Sequence, residues 1–173
     1  MNNLMIYGPS QSGKSSLVRK LLQSYHDIYD NVFMFGGAYL EYLHVLGTDY
    51  VYHNVDNDVI TDIIEFQKKH LRNNILFIFD DVMDEYFNTP LFNMLSSCSR
   101  HLRISLWFSL HNIKKISPTL RKNIRHFFTM VIDKSAIEYI EERSILTRKE
   151  IIEMTKDNEQ PYFYFEFKFI RDK

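Results

Sequence analysis

The residues Gly8-Pro9-Ser10-Gln11-Ser12-Gly13-Lys14-Ser15 carry the most specific chemistry in this chain. Their fixed positions fit G-x-x-x-x-G-K-[ST], the spacing of a loop that cradles phosphate. Glycines let the backbone turn so that several N–H groups point at one anion, and the helix that follows offers its positive end. In such a loop Lys14 reaches the β- and γ-phosphates as a point charge, and Ser15 offers a hydroxyl to Mg²⁺. Gly8 to Ser16, the last being Ser16 itself, form the candidate nucleotide-binding set. At average glycine usage of about 7%, the four fixed positions coincide by chance in well under ~1% of chains this long. This chain holds only five glycines, so chance is rarer still.

A phosphate loop needs a partner for its metal. The apolar run Ile75 to Phe79 ends in Asp80-Asp81, two carboxylates at the end of a strand, where ligands bind in parallel sheets. Asp80 is the candidate to hold Mg²⁺ through water. Asp81 is the candidate to orient or deprotonate the attacking water; the alternative is that it only caps the following loop. A third feature is electrostatic. From Tyr86 to Ile132 there is no acidic residue, and the stretch carries Arg100, Arg103, Lys114, Lys115, Arg121, Lys122 and Arg125. With 21 basic and 22 acidic residues in all, this local +7 leaves about −8 elsewhere. Cations so separated from acids point to phosphate contact, on ATP or on nucleic acid.

These groups need a scaffold, and the hydrophobic pattern supplies one. Leu4 to Tyr7 reads as a strand before the loop, and Leu17, Val18, Leu21, Leu22 and Tyr25 as one helix face after it. Asn31 to Phe35 and Tyr50 to His53 are short strands. Val59, Ile60, Ile63, Ile64 and Phe66 form a second helical stripe, with acids before and lysines after, as the helix dipole prefers. The uniformly apolar Ile75 to Phe79 reads as a central strand covered on both faces. Leu91 to Cys98 is helical, Ile104 to Leu110 a strand, Ser117-Pro118 a helix start and His126 to Ile132 a strand. Ser135-x-x-Glu138 and Thr147-x-x-Glu150 read as capping boxes. After Pro161, the last strand Tyr162 to Ile170 puts Phe163, Phe165, Phe167 and Phe169 on one face, the mark of a core stripe. Strands alternating with helices predict an α/β, three-layer sandwich with a mostly parallel central sheet, one domain over residues 1–173.

Composition excludes other classes. The chain has 173 residues, is 45% hydrophobic and 25% charged, and carries net charge −1, so it is no simple basic coat. Its single cysteine, Cys98, rules out an internal disulfide framework and a cysteine-based zinc cluster. The longest apolar runs are too short to span a bilayer, and the N-terminus does not read as a signal peptide.

The order of features resembles a known family. Phosphate loop, Asp-Asp strand, Ser99-Arg100-His101, a strand ending in His111-Asn112, then Pro118-Thr-Leu-Arg121-Lys-Asn123 together look like the FtsK–HerA superfamily of ring ATPases. The nearest likeness is to the poxvirus-type DNA-packaging ATPases of large DNA viruses, virophages and virus-like transposons, over roughly residues 3 to 132. The Arg-His and Pro…Arg…Asn segments are selective; the first two motifs belong to all P-loop NTPases. The resemblance implies a P-loop fold of the RecA/ASCE type, with ATP and Mg²⁺ as cofactors. It implies a polar sensor after the fourth strand, at His111 or Asn112, where relatives usually have glutamine. It implies arginine fingers reaching a neighbour's ATP, with Arg100 and Arg121 the candidates and Arg125 third.

The expected function is therefore an ATP-hydrolysing translocase that packages viral double-stranded DNA, working as a homo-oligomeric ring with capsid or portal-vertex proteins as further partners. Its expected place is the host cytoplasm, a viral factory or the virion. The alternative is a P-loop nucleoside or nucleotide kinase, to which Glu142-Arg143-Ser144 bears a superficial likeness. A third reading is an assembly factor that binds nucleotide but scarcely turns it over. A GTPase is disfavoured by the absence of an Asn-Lys-x-Asp motif.

Overall fold

Alternation along the strands sorts the interior onto two faces of one sheet. In a computed structural model that describes residues 3–47, 50–156 and 164–169, seven strands lie in the order β3-β2-β4-β5-β1-β6-β7. They are β1 (Asn3–Tyr7), β2 (Asn31–Phe35), β3 (Val51–Tyr52), β4 (Ile75–Phe79), β5 (Ile104–Leu110), β6 (Ile124–Thr129) and β7 (Phe165–Lys168). The first six are parallel, and β7 joins β6 antiparallel. Every residue of β1, β4 and β5 is buried, which explains why β4 lacks the polar alternation of a half-exposed strand. Each large apolar side chain buried this way contributes roughly 1.5–3 kcal/mol.

On one face Met5, Phe77, Phe79, Leu106 and Phe108 pack against α3 (Asn57–Lys69), α4 (Pro90–Cys98), α5 (Pro118–Lys122), α6 (Lys134–Arg143) and α7 (Arg148–Thr155). On the other, Leu4, Ile6, Leu76, Ile78 and Trp107 pack against α1 (Lys14–Tyr25) and the turn before α2 (Leu43–Leu46). The result is the expected three-layer α/β sandwich. β5 stands between β1 and β4, with Phe79 beside Phe108 and Phe108 beside Met5.

Several local readings are corrected. Phe66 leaves the α3 stripe; it is 53% exposed and stacks on His70. Buried Gln67 replaces it, donating to the carbonyls of Asn73 and Leu102. The Ser135 capping box does not form: Asp133 is the N-cap of α6, accepting from Ala136 N, and Glu138 pairs with Lys114. The helix starts two residues earlier than that box requires, so Ser135 lies inside its first turn and Asp133 takes the capping position. The Thr147–Glu150 box is present. β6 stops at Thr129 rather than Ile132, because Val131 turns back onto the Thr129 side chain. In β7, Phe165, Phe167 and Phe169 join the core, whereas Pro161, Tyr162, Phe163 and Ile170 lie outside the described residues.

Two glycines isolate what close backbone approach costs. Gly36 (φ 130°, ψ 179°) and Gly47 (φ 76°, ψ 173°) occupy similar strained backbone regions. A Cβ on Gly36 would meet the Asp80 carbonyl oxygen at 1.9 Å, and one on Gly47 would meet nothing within 4 Å. Gly47→Ala is expected to cost about 1–3 kcal/mol. Gly36→Ala is expected to exceed about 4 kcal/mol or to prevent folding; urea unfolding of both variants measures the difference, and equal costs would contradict it.

Candidate active site

The phosphate loop leaves the sheet between two strand ends. Gly8 N donates to Leu110 O (3.2 Å) on β5, and Met130 N after β6 donates to Tyr7 O (2.8 Å). A side chain on Gly8 would come within 2.8 Å of both Met130 Cβ and Ser12 Oγ, so the first glycine is a steric requirement. Gly13 takes φ 92° and Gln11 φ 60°, left-handed turns that aim the loop into the start of α1. Lys14 is 7% exposed, and its ammonium donates to Gly8 O (2.9 Å) and Pro9 O (2.7 Å). Burial lowers its pKa, opposed by the charges of Asp80, Asp81 and Asp84.

The loop walls a cavity of about 470 Å³, whose far side includes Asp80, Asp81, Ser109 and His111. Strand parity explains their meeting. Residues 76, 78 and 80 face α1, as do 105, 107 and 109 on the neighbouring strand, and the register beside Phe79–Phe108 sets Asp80 against Ser109. Asp80 is 1% exposed. Its Oδ1 accepts from Ser109 Oγ (2.5 Å) and its Oδ2 from Tyr42 Oη (2.7 Å). Asp81 takes φ 56° and its carbonyl accepts from Gly37 N (3.1 Å). Its carboxylate faces Gly37, where a Cβ would approach Oδ2 to 2.5 Å. Among the described residues that carboxylate accepts no hydrogen bond, so the loop-capping alternative does not hold.

His111 and Asn112 part company. His111 borders the cavity, with Nδ1 3.4 Å from Lys14 Nζ and its backbone N–H donated to Oδ1 of buried Asp84 (3.2 Å). Asn112 faces away as the cap of the next turn, accepting from Lys114 N (3.0 Å). Arg100 and Arg121 are not brought to this cavity. Both precede strands whose C-terminal ends border it, so they sit on the opposite edge, about 20 Å off at the rise of a seven-residue strand. The cations of the acid-free segment are also less available than their spacing implied. Lys115 pairs with Glu85, Lys114 with Glu138, and Arg103 donates to Asn74 Oδ1 and Leu71 O.

Tyr42, Ser109, Asp84 and the Gly36-Gly37 pair were not legible as site residues. The one available signal was a pair of serines, Ser105 and Ser109, four apart in an otherwise apolar strand. Arg19 and Glu41, ion-paired at 3.0 Å, also border the cavity.

The family described as Poxvirus A32 protein matches residues 1–162. The chain belongs to that family. No curated protein matches it. Among solved structures, the genome packaging NTPase B204 from Sulfolobus turreted icosahedral virus 2, in complex with AMPPCP, is similar with TM-score 0.68 and 16% identity, covering 97% of this chain and 92% of that one. The DNA-packaging ATPase B204 from Sulfolobus turreted icosahedral virus gives 0.66 and 18%, over 97% and 92%. ATPases 2 and 3 of EssC from Geobacillus thermodenitrificans give 0.62 and 20%, over 84% and 35%. At such identities these likenesses speak for the fold, a P-loop NTPase sandwich. Membership of the A32 family bears out the resemblance read from the motifs.

The donors present in this A32-family chain fit a hard cation. Ser15 and the Asp80 and Asp81 carboxylates offer oxygen alone at the cavity wall. That suits Mg²⁺, which takes one or two carboxylates and completes its shell with water and nucleotide phosphates. The Glu142-Arg143-Ser144 segment has a structural use instead. Arg143 donates to Lys122 O (3.0 Å) and Ile124 O (3.3 Å) and lies over the Phe169 ring at 5.3 Å. Arg143→Ala is therefore expected to lower stability by about 1–3 kcal/mol in denaturant unfolding. Nucleotide affinity should stay unchanged; its loss in a folded variant would restore a catalytic reading of this arginine.

Proposed function

We propose that this chain is the ATP-hydrolysing motor that packages a double-stranded DNA genome into a viral capsid. The observation that carries the reading is the meeting of Lys14 and Ser15 with Asp80, Asp81 and His111 around one cavity, in a chain of the Poxvirus A32 protein family. B204, its structural counterpart, is a genome packaging NTPase solved with AMPPCP and with ATP-gammaS.

In this reading the backbone N–H groups of residues 10–16 hold the triphosphate, and Lys14 exchanges the Gly8 and Pro9 carbonyls for β- and γ-phosphate oxygens. Ser15, and Asp80 through water, hold Mg²⁺, which when bound neutralises charge on the transferring phosphoryl group. Asp81, whose carboxylate faces the cavity unbonded, orients or deprotonates the attacking water. His111 takes the sensor position beside the γ-phosphate, since Asn112 is committed to its cap. Arg100 and Arg121, on the far edge of their own sheet, act in trans on a neighbour's nucleotide within a homo-oligomeric ring. Exposed Lys122 offers charge for DNA phosphates, and capsid or portal-vertex proteins are the docking partners. No helix of the described residues is long and apolar enough to cross a membrane. The kinase reading loses the support of its Glu142-Arg143-Ser144 likeness, since Arg143 is tied to the α5–β6 turn.

Lys14→Ala is expected to lower turnover by about 10²–10³. Asp81→Asn should keep ATP binding and lose about 10²–10⁴ in turnover; a fully active variant removes Asp81 from the chemistry. Duplex DNA should stimulate turnover. Each phosphate contacted should steepen the salt dependence of DNA affinity by roughly 0.9 log units per log unit of salt. Phosphoryl transfer to a nucleoside, with no response to DNA, would decide for the kinase. Mixing Lys14→Ala with Arg121→Ala subunits tests the shared interface: activity that is neither restored nor poisoned contradicts it.

A further inference from the structure

The buried surroundings of Asp80 are more specialised than burial alone requires. Its two oxygens are held separately, Oδ1 by Ser109 Oγ at 2.5 Å and Oδ2 by Tyr42 Oη at 2.7 Å. Tyr42 is 0% exposed, Ser109 2% and Asp80 1%, so the two hydroxyls are not drawn away from the carboxylate by bulk water. Both donors are neutral. A lysine or arginine partner would cancel the carboxylate's charge; a hydroxyl fixes its direction and leaves the charge intact. Each carboxylate oxygen has a second lone-pair site, so both hydroxyls can be accepted while an edge remains for a metal-bound water.

The clamp draws on three separate segments: the turn after β2, the end of β4 and the end of β5. The neighbouring residue, Glu41, pairs with Arg19 on α1 at 3.0 Å, so the turn bearing Tyr42 is tied to the phosphate-loop helix as well.

We propose that Tyr42 and Ser109 are positioning residues for the metal, two neutral hydroxyl donors that lock the Asp80 carboxylate in the one orientation from which it accepts a Mg²⁺-bound water. The assignment rests on the reading of Asp80 as the metal-holding carboxylate. Outer-shell donors of this kind typically change metal affinity by about 10–100-fold when removed. Tyr42→Phe removes one hydroxyl and keeps the ring that fills the core. Ser109→Ala removes the other, and Ser109→Thr keeps a hydroxyl at that position.

The test is titration of a fluorescent ATP analogue into each purified full-length variant, first in EDTA and then at increasing Mg²⁺. Tyr42→Phe and Ser109→Ala are expected to bind the analogue as the parent does in EDTA. They should need about 10-fold more Mg²⁺ for half of the metal-dependent gain, with Ser109→Thr close to the parent. If Tyr42→Phe does not fold, the Ser109→Ala and Ser109→Thr pair decides. Folded variants with the parent's Mg²⁺ requirement overturn the inference while leaving the nucleotide site standing. Equal losses in EDTA and in Mg²⁺ overturn it too, since they report a general collapse of the cavity. A parent whose analogue affinity ignores Mg²⁺ overturns the metal reading of Asp80, and the inference with it.

Discussion

Burying the Asp80 carboxylate where it sits is the constraint on which the surrounding architecture turns. A carboxylate 1% exposed on a central strand costs several kcal/mol unless its oxygens are hydrogen-bonded. The Ser109 and Tyr42 hydroxyls meet that need, and the Lys14 ammonium adds a favourable field. For Ser109 to arrive, β5 must lie beside β4 in the register that turns residue 109 toward α1. For Tyr42 to arrive, the chain after β2 must fold back over the same face. Placing β5 between β1 and β4 is thus what puts a hydroxyl, a carboxylate and the phosphate loop side by side.

The glycines follow from the same crowding. Of the five in the chain, four lie at this edge of the sheet. Gly8 clears Met130, Gly13 makes the turn into α1, Gly36 clears the Asp80 carbonyl and Gly37 clears the Asp81 carboxylate. Glycine loses more freedom on folding than any other residue, so a chain that uses it sparingly keeps it where backbone must touch backbone or ligand. Asp81, at φ 56°, adopts the left-handed conformation that glycine usually fills, and aspartate is among the few residues that tolerate it. Gly37 against its carboxylate is the space that this conformation requires.

What was legible in the sequence was what is encoded locally. The phosphate loop is a contiguous motif, and β4 declares itself because a strand covered on both faces has no polar alternation. The clamp around Asp80 was illegible because its members are 29 and 38 residues away, and only the register of parallel strands joins them. The choice between His111 and Asn112 turns on a single residue at a strand end, where alternation gives way to a turn. Ser135 misled because Asp133, an equally good cap two residues upstream, starts the helix earlier, and Glu138 pairs with Lys114 from outside α6. Lys114 and Lys115 read as free charge because their acids are remote in sequence.

A parallel sheet separates what enters its strands from what leaves them. Asp80, Asp81, Asp84, Glu85 and Asp133 follow strands, on the edge that carries the phosphate loop, together with Lys14, Lys114, Lys115 and Lys134. Arg72, Arg100, Arg103, Arg121 and Lys122 precede strands, on the edge opposite, together with Asp27 and Asp30. A heterologous contact sets that opposite edge of one copy against the nucleotide-bearing edge of the next, and such contacts close into rings when the rotation allows. The roughly 20 Å between Arg121 and its own phosphate loop is therefore what the proposed ring requires: an arginine too far from its own nucleotide to act there, on the edge where the neighbouring site would sit.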